Sequence, residues 1–261
     1  MDTTPMFNKA FLEETGNGIL RHEEQLLLAE FKERNIPVTL FTAKRIQRRQ
    51  LPLGIDTFVA GDMDAMHGAM RQLGIEVPAP NDYPASLEPF LHRSVWRSTL
   101  GALEAQVLEG SGNPVFAKPA DRRKSFTGRV FASLDDFHEI GHVSRRQEVW
   151  CSEVVEWRSE FRVYIIDQDI RSIDAYAGDA SVALDMEVVK AAVEAFRGSG
   201  LAPSAYALDC GVLDTGQTAV VEVNDGYALG AYQINQREYT DLLVTRWREL
   251  LSTIRPSDGC C

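Results

Sequence analysis

The chain has 261 residues, of which 44% are hydrophobic and 25% charged, as is typical of a globular protein with a sizeable core. Its formal net charge of −11 disfavours a nucleic acid or an anionic membrane surface as the main partner, since both are polyanions. No apolar run has membrane-spanning length, the N-terminus lacks a signal-peptide core, and the four cysteines lack zinc-site spacing. We therefore expect a reduced, cytoplasmic protein without structural disulfides.

The first part of the chain predicts a small α/β unit. Residues 22–35 place leucines at helical spacing, and residues 62–73 predict a second helix that ends near Gly74. Short apolar runs at 37–41 and 56–60 predict strands, so strands and helices alternate. The unit lacks the GxGxxG pattern of a classical dinucleotide site.

Three prolines in VPAPNDYP, residues 77–84, mark a boundary between domains. We predict a small N-terminal α/β domain over residues 1–85 and a second domain over 86–255. Residues 256–261 then form a flexible tail.

The second domain predicts a mixture of strands and helices. An apolar strand at 114–118 ends in Lys118 and is followed by a polar basic loop at 121–127. Asp-Gln-Asp at 167–169 predicts a hairpin between two apolar runs. The predicted helices are 95–108, 134–140, 184–197 and 236–253, and the other predicted strands are 128–131, 149–155, 160–166 and 170–177.

A second hairpin, residues 207–226, carries the polar residues that bear on function. Asp-Thr-Gly at 214–216 separates two alternating apolar runs, which is typical of a hairpin. Alternation puts Glu222 and Asn224 on one face of their strand, and Asp209 can share it from the neighbouring strand. Two carboxylates and an amide oxygen suit a hard cation such as Mg²⁺. The alternative is an ordinary solvated hairpin face.

Basic residues upstream supply the complementary charge. Lys118 interrupts an apolar strand just before a proline, and Lys124 lies in the basic loop. Arg162 sits within the apolar run 161–166, where an arginine is costly unless an anion pairs with it. A structural ion pair with Glu160 or Asp174 is one alternative for Arg162, and a solvated loop is the alternative for Lys124.

The order of these strings resembles the ATP-grasp superfamily over about residues 86–254. The matching strings are VFAKPA, RRKSFTG, CSEVVE, EFRVYI, ALDCGV and VEVND. The resemblance implies an α+β fold in which two subdomains clamp ATP, here preceded by the small α/β domain. One departure is that the loop 121–127 has no glycine, whereas many members fold a small-residue loop over the phosphates.

The resemblance also implies roles for individual residues. Lys118 and Lys124 would hold the phosphates, with Lys124 and Arg162 at the transferred phosphoryl group. Backbone groups near Glu153 and Val155 would bind adenine at a hinge, and Glu160 or Glu156 the ribose. Mg²⁺ would be held by Asp209, Glu222 and Asn224.

The implied activity is that of an ATP-dependent carboxylate–amine or carboxylate–thiol ligase. It would form an acyl phosphate, release ADP and phosphate, and act on a small-molecule or peptide carboxylate with an amine acceptor. Arg93 and Arg97 are candidates to bind that carboxylate. The alternatives are a kinase acting on a hydroxyl, with Asp174 as a possible base, and a nucleotide-binding module without catalysis.

Overall fold

The computed structural model describes residues 7–110, 112–121 and 125–254. Within these residues the chain forms three β-sheets, seven α-helices and one 3₁₀-helix. None of the helices in this part of the chain is long and apolar enough to cross a membrane.

The first sheet is parallel and has the strand order β2-β1-β3. The predicted strands near 37–41 and 56–60 form its two edges. Its central strand was not predicted, because KAFLE is buried along almost its whole length and therefore lacks an alternating pattern. The strands are β1 (Lys9–Glu13), β2 (Val38–Phe41) and β3 (Thr57–Ala60).

Three helices accompany this sheet, and the third shows clear end signals. The Asp62 side chain accepts a hydrogen bond of 2.9 Å from Ala65 N at its start. Gly74 ends it with a φ of 75°, in the left-handed region that glycine adopts without strain. The helices are α1 (His22–Glu33), α2 (Ala43–Gln47) and α3 (Met63–Leu73).

The second sheet is antiparallel, with the order β4-β7-β5-β6. It follows a 3₁₀-helix, Ala85–Phe90. Its strands are β4 (Val95–Thr99), β5 (Val115–Pro119), β6 (Arg129–Phe131) and β7 (Glu148–Glu153). Its helices are α4 (Leu100–Leu108) and α5 (Leu134–Glu139).

The prediction of one helix over residues 95–108 is wrong in its first part. Val95–Thr99 is a strand paired with β7, and the helix starts only at Leu100. The Thr99 side chain accepts a hydrogen bond of 3.2 Å from Ala102 N and so caps the helix. Valine, tryptophan and threonine in this stretch favour a strand once a partner strand is present.

The third sheet is antiparallel, with the order β11-β10-β8-β9. Both predicted hairpins are present. The first turns at Asp167 and Gln168, whose φ angles of 46° and 79° suit a tight two-residue turn. The strands are β8 (Trp157–Ile166), β9 (Asp169–Gly178), β10 (Ala205–Leu213) and β11 (Thr218–Asp225), and the helices are α6 (Met186–Gly198) and α7 (Gln236–Ser252).

The hydrophobic core of the N-terminal sheet continues into the C-terminal part of the chain. Buried residues of β1, α1 and β3 form one cluster with Tyr164 of β8 and with α7. The indole N–H of Trp247 in α7 donates to the backbone oxygen of Thr57 at 2.9 Å. The second sheet has a separate cluster around Phe131 and Val149. The division into domains at residue 85 stays a prediction; the first and third sheets share a core across it.

Two of the four cysteines lie within the described residues, and both are buried and free. Burial raises the pKa of the Cys151 thiol to about 11, and it raises the pKa of Cys210 further. Both are structural thiols in strands, as expected from the sequence.

Candidate functional site

The predicted polar residues converge where the second and third sheets face each other. The register places Asp209 of β10 between Glu222 of β11 and Arg162 of β8. Asn224 Nδ2 lies 3.0 Å from Asp209 Oδ2 and 3.4 Å from Glu222 Oε1. The prediction that these side chains share one face is therefore confirmed.

Lys118 is the contribution of the second sheet to this cluster. Its ammonium donates to Asp82 Oδ2 at 2.6 Å and to Glu222 Oε2, so it joins the two sheets. It also lies 4.8 Å from the centre of the Tyr83 ring. The loop that carries Asp82 is fixed on the third sheet, because Val223 N donates to the Asp82 backbone oxygen at 2.9 Å.

The charges of Lys118 and Glu222 stabilise each other. Burial alone would raise the pKa of Glu222, but the Lys118 ammonium outweighs it and holds the carboxyl below its ordinary value. Burial likewise opposes the charge on Lys118, yet Glu222, Tyr83 and Asp82 raise the pKa of Lys118 above its ordinary value. Both groups are therefore charged at neutral pH.

Arg162 forms a buried two-bond ion pair with Asp209. Nε and Nη2 each lie 2.8 Å from a different oxygen of the carboxylate. A third bond of 3.2 Å runs from Nη1 to the backbone oxygen of Gly230, and the Tyr232 ring lies 5.0 Å away. Side-chain exposure is 11% for the arginine and 4% for the aspartate, so little water screens the pair.

Neither partner considered from the sequence pairs with Arg162. The Glu160 carboxylate accepts from the Tyr176 hydroxyl at 3.1 Å. Asp174 Oδ2 accepts from the backbone N–H groups of Gln233 and Ile234, both at 2.7 Å. Asp174 therefore fixes the loop after β11, and its bound oxygen is not free to act as the base of a kinase.

The donor set of Asp209, Glu222 and Asn224 fits a hard divalent cation in its chemistry. Within the described residues no group of three or more histidine, cysteine or acidic side chains could hold a metal, so the amide oxygen of Asn224 is needed for a third ligand. Both carboxylates are already bonded to cationic side chains. Direct coordination by either one requires that a phosphate take over its lysine or arginine.

Comparison with known proteins identifies the family. A family model described as an ATP-grasp domain, the second family of its clade, matches residues 90–242, which is more than half of the chain. The chain belongs to this ATP-grasp family. None of the curated proteins compared with it matches.

Solved ATP-grasp structures share the fold at low sequence identity. The D-alanine–D-alanine ligase of Bacillus anthracis complexed with ATP is 14% identical, with a TM-score of 0.57 over 94% of this chain and 98% of that one. D-cycloserine synthetase DcsG gives 14%, 0.57, 93% and 99%. The macrocyclase MdnC bound with precursor peptide MdnA, from Microcystis aeruginosa MRC, gives 12%, 0.52, 90% and 99%. These likenesses confirm the α+β ATP-grasp fold.

The predicted adenine hinge lies between the two ATP-grasp sheets. β7 ends at Glu153 and β8 begins at Trp157, so Val155 is in the short link that joins them. The Glu153 side chain is exposed, and its carboxylate accepts from Ser94 N at 2.8 Å. Glu160 lies two residues before Arg162 on the same strand and hence on the same face. Burial raises the pKa of Glu160. Binding of adenine and ribose by these residues stays a prediction.

Lys124, predicted to contact phosphate, lies outside the described residues, as does the tail 256–261. Arg93 is not free to bind a substrate carboxylate, because it donates to the backbone oxygens of Val220 and Val221 at 2.8 and 2.9 Å. Arg97 pairs with Glu148 at 3.0 Å.

The sequence analysis missed three residues in the site. Asp82, which binds Lys118, was assigned to a proline-rich linker. Tyr176 and Tyr232 stack with ring centres 4.9 Å apart and an interplanar angle of 14°, and Tyr232 covers Arg162. Tyr176 stands on the face-alternating strand β9, but Tyr232 follows the last strand and carries no periodic signal.

Proposed function

We propose that this chain is an ATP-dependent ligase that joins a carboxylate to an amine or a thiol through an acyl phosphate and releases ADP and phosphate. The observation that carries the proposal is the cluster of Lys118 and Arg162 with Asp209, Glu222 and Asn224, in a chain of the ATP-grasp family. A triphosphate needs fixed cations, and the accompanying metal needs hard oxygen ligands.

The ion pairs of the cluster indicate how the nucleotide is accepted. Phosphate oxygens would replace Glu222 as a partner of Lys118 and Asp209 as the partner of Arg162. The released carboxylates, with Asn224, would then hold Mg²⁺. Bound Mg²⁺ bridges phosphate oxygens and neutralises charge on them. Each charge thus exchanges one partner for another, so that no buried charge is left alone.

The chemistry would proceed in two balanced steps. A carboxylate oxygen attacks the γ-phosphorus, the bond to the β-phosphate oxygen breaks, and ADP leaves with that electron pair. The amine nitrogen then attacks the carbonyl carbon, the carbon–oxygen bond to phosphate breaks, and phosphate departs with the amine proton. Arg162 would stabilise the transferring group, and Lys118 would hold the phosphates before and during transfer.

The names of similar structures support this class of reaction. They include a D-alanine–D-alanine ligase, a cycloserine synthetase and a macrocyclase bound to a precursor peptide. The first joins small molecules and the third handles a peptide. A small-molecule or peptide carboxylate is accordingly the substrate class we propose, with an amine as acceptor.

Nucleotide binding is the first test of the proposal. We expect ATP with Mg²⁺ to raise the free energy of unfolding by about 2.7 kcal/mol at a hundredfold excess over Kd, because the ligand binds only the folded state. Thermal unfolding measures this gain. Lys190→Ala, which removes an exposed lysine of α6, is the control and should respond like the unmodified chain. Absence of a shift with ATP, ADP or an unhydrolysable analogue would remove the proposal.

The nucleotide product and a trapping reagent test the reaction type. Because the cations and the predicted metal ligands suit the β–γ end of ATP, we expect ADP and phosphate without AMP. Turnover with pooled carboxylic acids and hydroxylamine should yield a hydroxamate, which mass spectrometry detects. AMP as the product would contradict the ATP-grasp mechanism. ADP with a stable phosphate ester would instead show a kinase.

A further inference from the structure

A cavity of about 1320 Å³ lies between the N-terminal unit and the loop that follows β11. Among the residues that the structure describes, its lining carries six carboxylates and three guanidinium groups. The proposed ATP site does not use this space, since Lys118, Arg162, Asp209 and Glu222 are not part of its wall. An acidic cavity of this size favours a cationic organic ligand.

Glu24, in the first turn of α1, is the least satisfied acid in the wall. Its residue is only 3% exposed, and its Oε2 has no hydrogen-bond partner within the described part of the chain. Its other oxygen accepts from Arg21 Nη1 at 3.0 Å. A buried carboxylate oxygen without a partner is costly, and an added donor removes that cost.

Arg21 does not neutralise the acids around it. The same guanidinium also contacts Glu13 at 3.1 Å and Asp62 at 3.4 Å, so three carboxylates share one positive charge. Burial raises the pKa of Glu24 despite the nearby Arg21, which shows that the pairing is incomplete. A second cation placed beside Glu24 would balance the group.

Gly230 connects this cavity with the proposed reaction centre. It lines the cavity, and its backbone oxygen accepts from Arg162 Nη1 at 3.2 Å. A β-carbon added to it would lie 3.6 Å from Arg162 Nη1 and 3.6 Å from Glu23 Oε1. The space beside this glycine thus touches both the arginine of the ATP site and an acid of the cavity.

We propose that the cavity is the acceptor subsite and that Glu24 binds an ammonium group of the acceptor, which is an aliphatic diamine. The inference rests on the proposed function for its meaning as an acceptor site. An amine must be uncharged to attack an acyl phosphate, so a carboxylate that holds an ammonium group serves the end of the acceptor that does not react. The other amine then lies toward Gly230 and Arg162.

Calorimetric titration of the full chain with 1,4-diaminobutane, without ATP and at constant ionic strength, tests the proposal. We expect binding by the unmodified chain, at least tenfold weaker binding by Glu24→Gln, and no binding of 1,4-butanediol, which has the same length without charge. Asp64→Asn is the matched control, because it removes an exposed acid of the same cavity and should change the affinity by less than twofold.

A second variant guards against loss of folding in Glu24→Gln. Gly230→Leu places a side chain in the cavity beside Glu23 and should also weaken diamine binding at least tenfold. No binding by the unmodified chain, or equal binding by the variants and the unmodified chain, would overturn the subsite. If ATP with Mg²⁺ fails to stabilise the fold while diamine binding still requires Glu24, the ligase proposal fails and the cation site stands.

Discussion

Arg162→Ala should lower the maximal rate of ATP turnover by about 10²–10³-fold, the range found when one donor to a developing charge is removed. Arg162 lies at the seam of the two sheets with two 2.8 Å bonds to Asp209, which a phosphoryl group would replace. The apparent ATP constant should change less than the rate, since we expect the contact to strengthen in the transition state. Steady-state kinetics measures both quantities.

The same variant should lower the free energy of unfolding by about 3–5 kcal/mol, because it leaves the Asp209 carboxylate buried without its cation. Denaturant unfolding measures this loss. Adding Asp209→Asn removes the stranded charge, so the double variant should recover stability but not turnover. Arg171→Ala, which breaks the more exposed pair with Glu238, is the control and should cost about 1 kcal/mol or less. Full turnover by Arg162→Ala would remove the arginine from the mechanism.

Lys118→Ala should raise the apparent ATP constant by about 10–100-fold, the equivalent of about 1.5–3 kcal/mol for a hydrogen bond to a charged group. The maximal rate should fall much less, because this lysine would hold phosphates in the ground state and in the transition state alike. Kinetics at varied ATP and saturating Mg²⁺ separates the two effects.

Lys118→Arg is the informative comparison for that variant. It keeps a positive charge, but the pocket formed by Asp82, Glu222 and the Tyr83 ring fits a compact ammonium. We expect an intermediate ATP constant. A lower maximal rate with an unchanged ATP constant in Lys118→Ala would mean that the roles of Lys118 and Arg162 are exchanged.

The local parts of the site were predictable, because strand periodicity carries them. Glu222 and Asn224 stand two residues apart on an alternating strand, and the Asp-Thr-Gly turn places Asp209 opposite them. The order of lysine, arginine and acids along the chain was enough to indicate the ATP-grasp family. In the same way, the pair of glycine-tolerant φ angles at Asp167 and Gln168 follows from a two-residue loop between apolar runs.

The parts that were missed depend on contacts distant in sequence. Asp82 looks like a linker residue until Lys118, 36 positions further on, and the still more distant Val223 are seen to bind it. The pairing of Arg162 with Asp209 spans 47 positions, so local acids such as Glu160 and Asp174 were the nearer candidates. Val95–Thr99 becomes a strand because β7 pairs with it, which local propensity did not indicate.

The core shared between the N-terminal sheet and α7 has a consequence for synthesis on the ribosome. Phe11, Phe31 and Phe58 belong to a buried cluster that includes Leu243 and Trp247. The first sheet is translated early, yet much of the apolar surface that covers it arrives only with the last helix. An unfinished chain would therefore carry that sheet with part of its hydrophobic face bare. Its assembly would then finish after translation, when α7 emerges and docks.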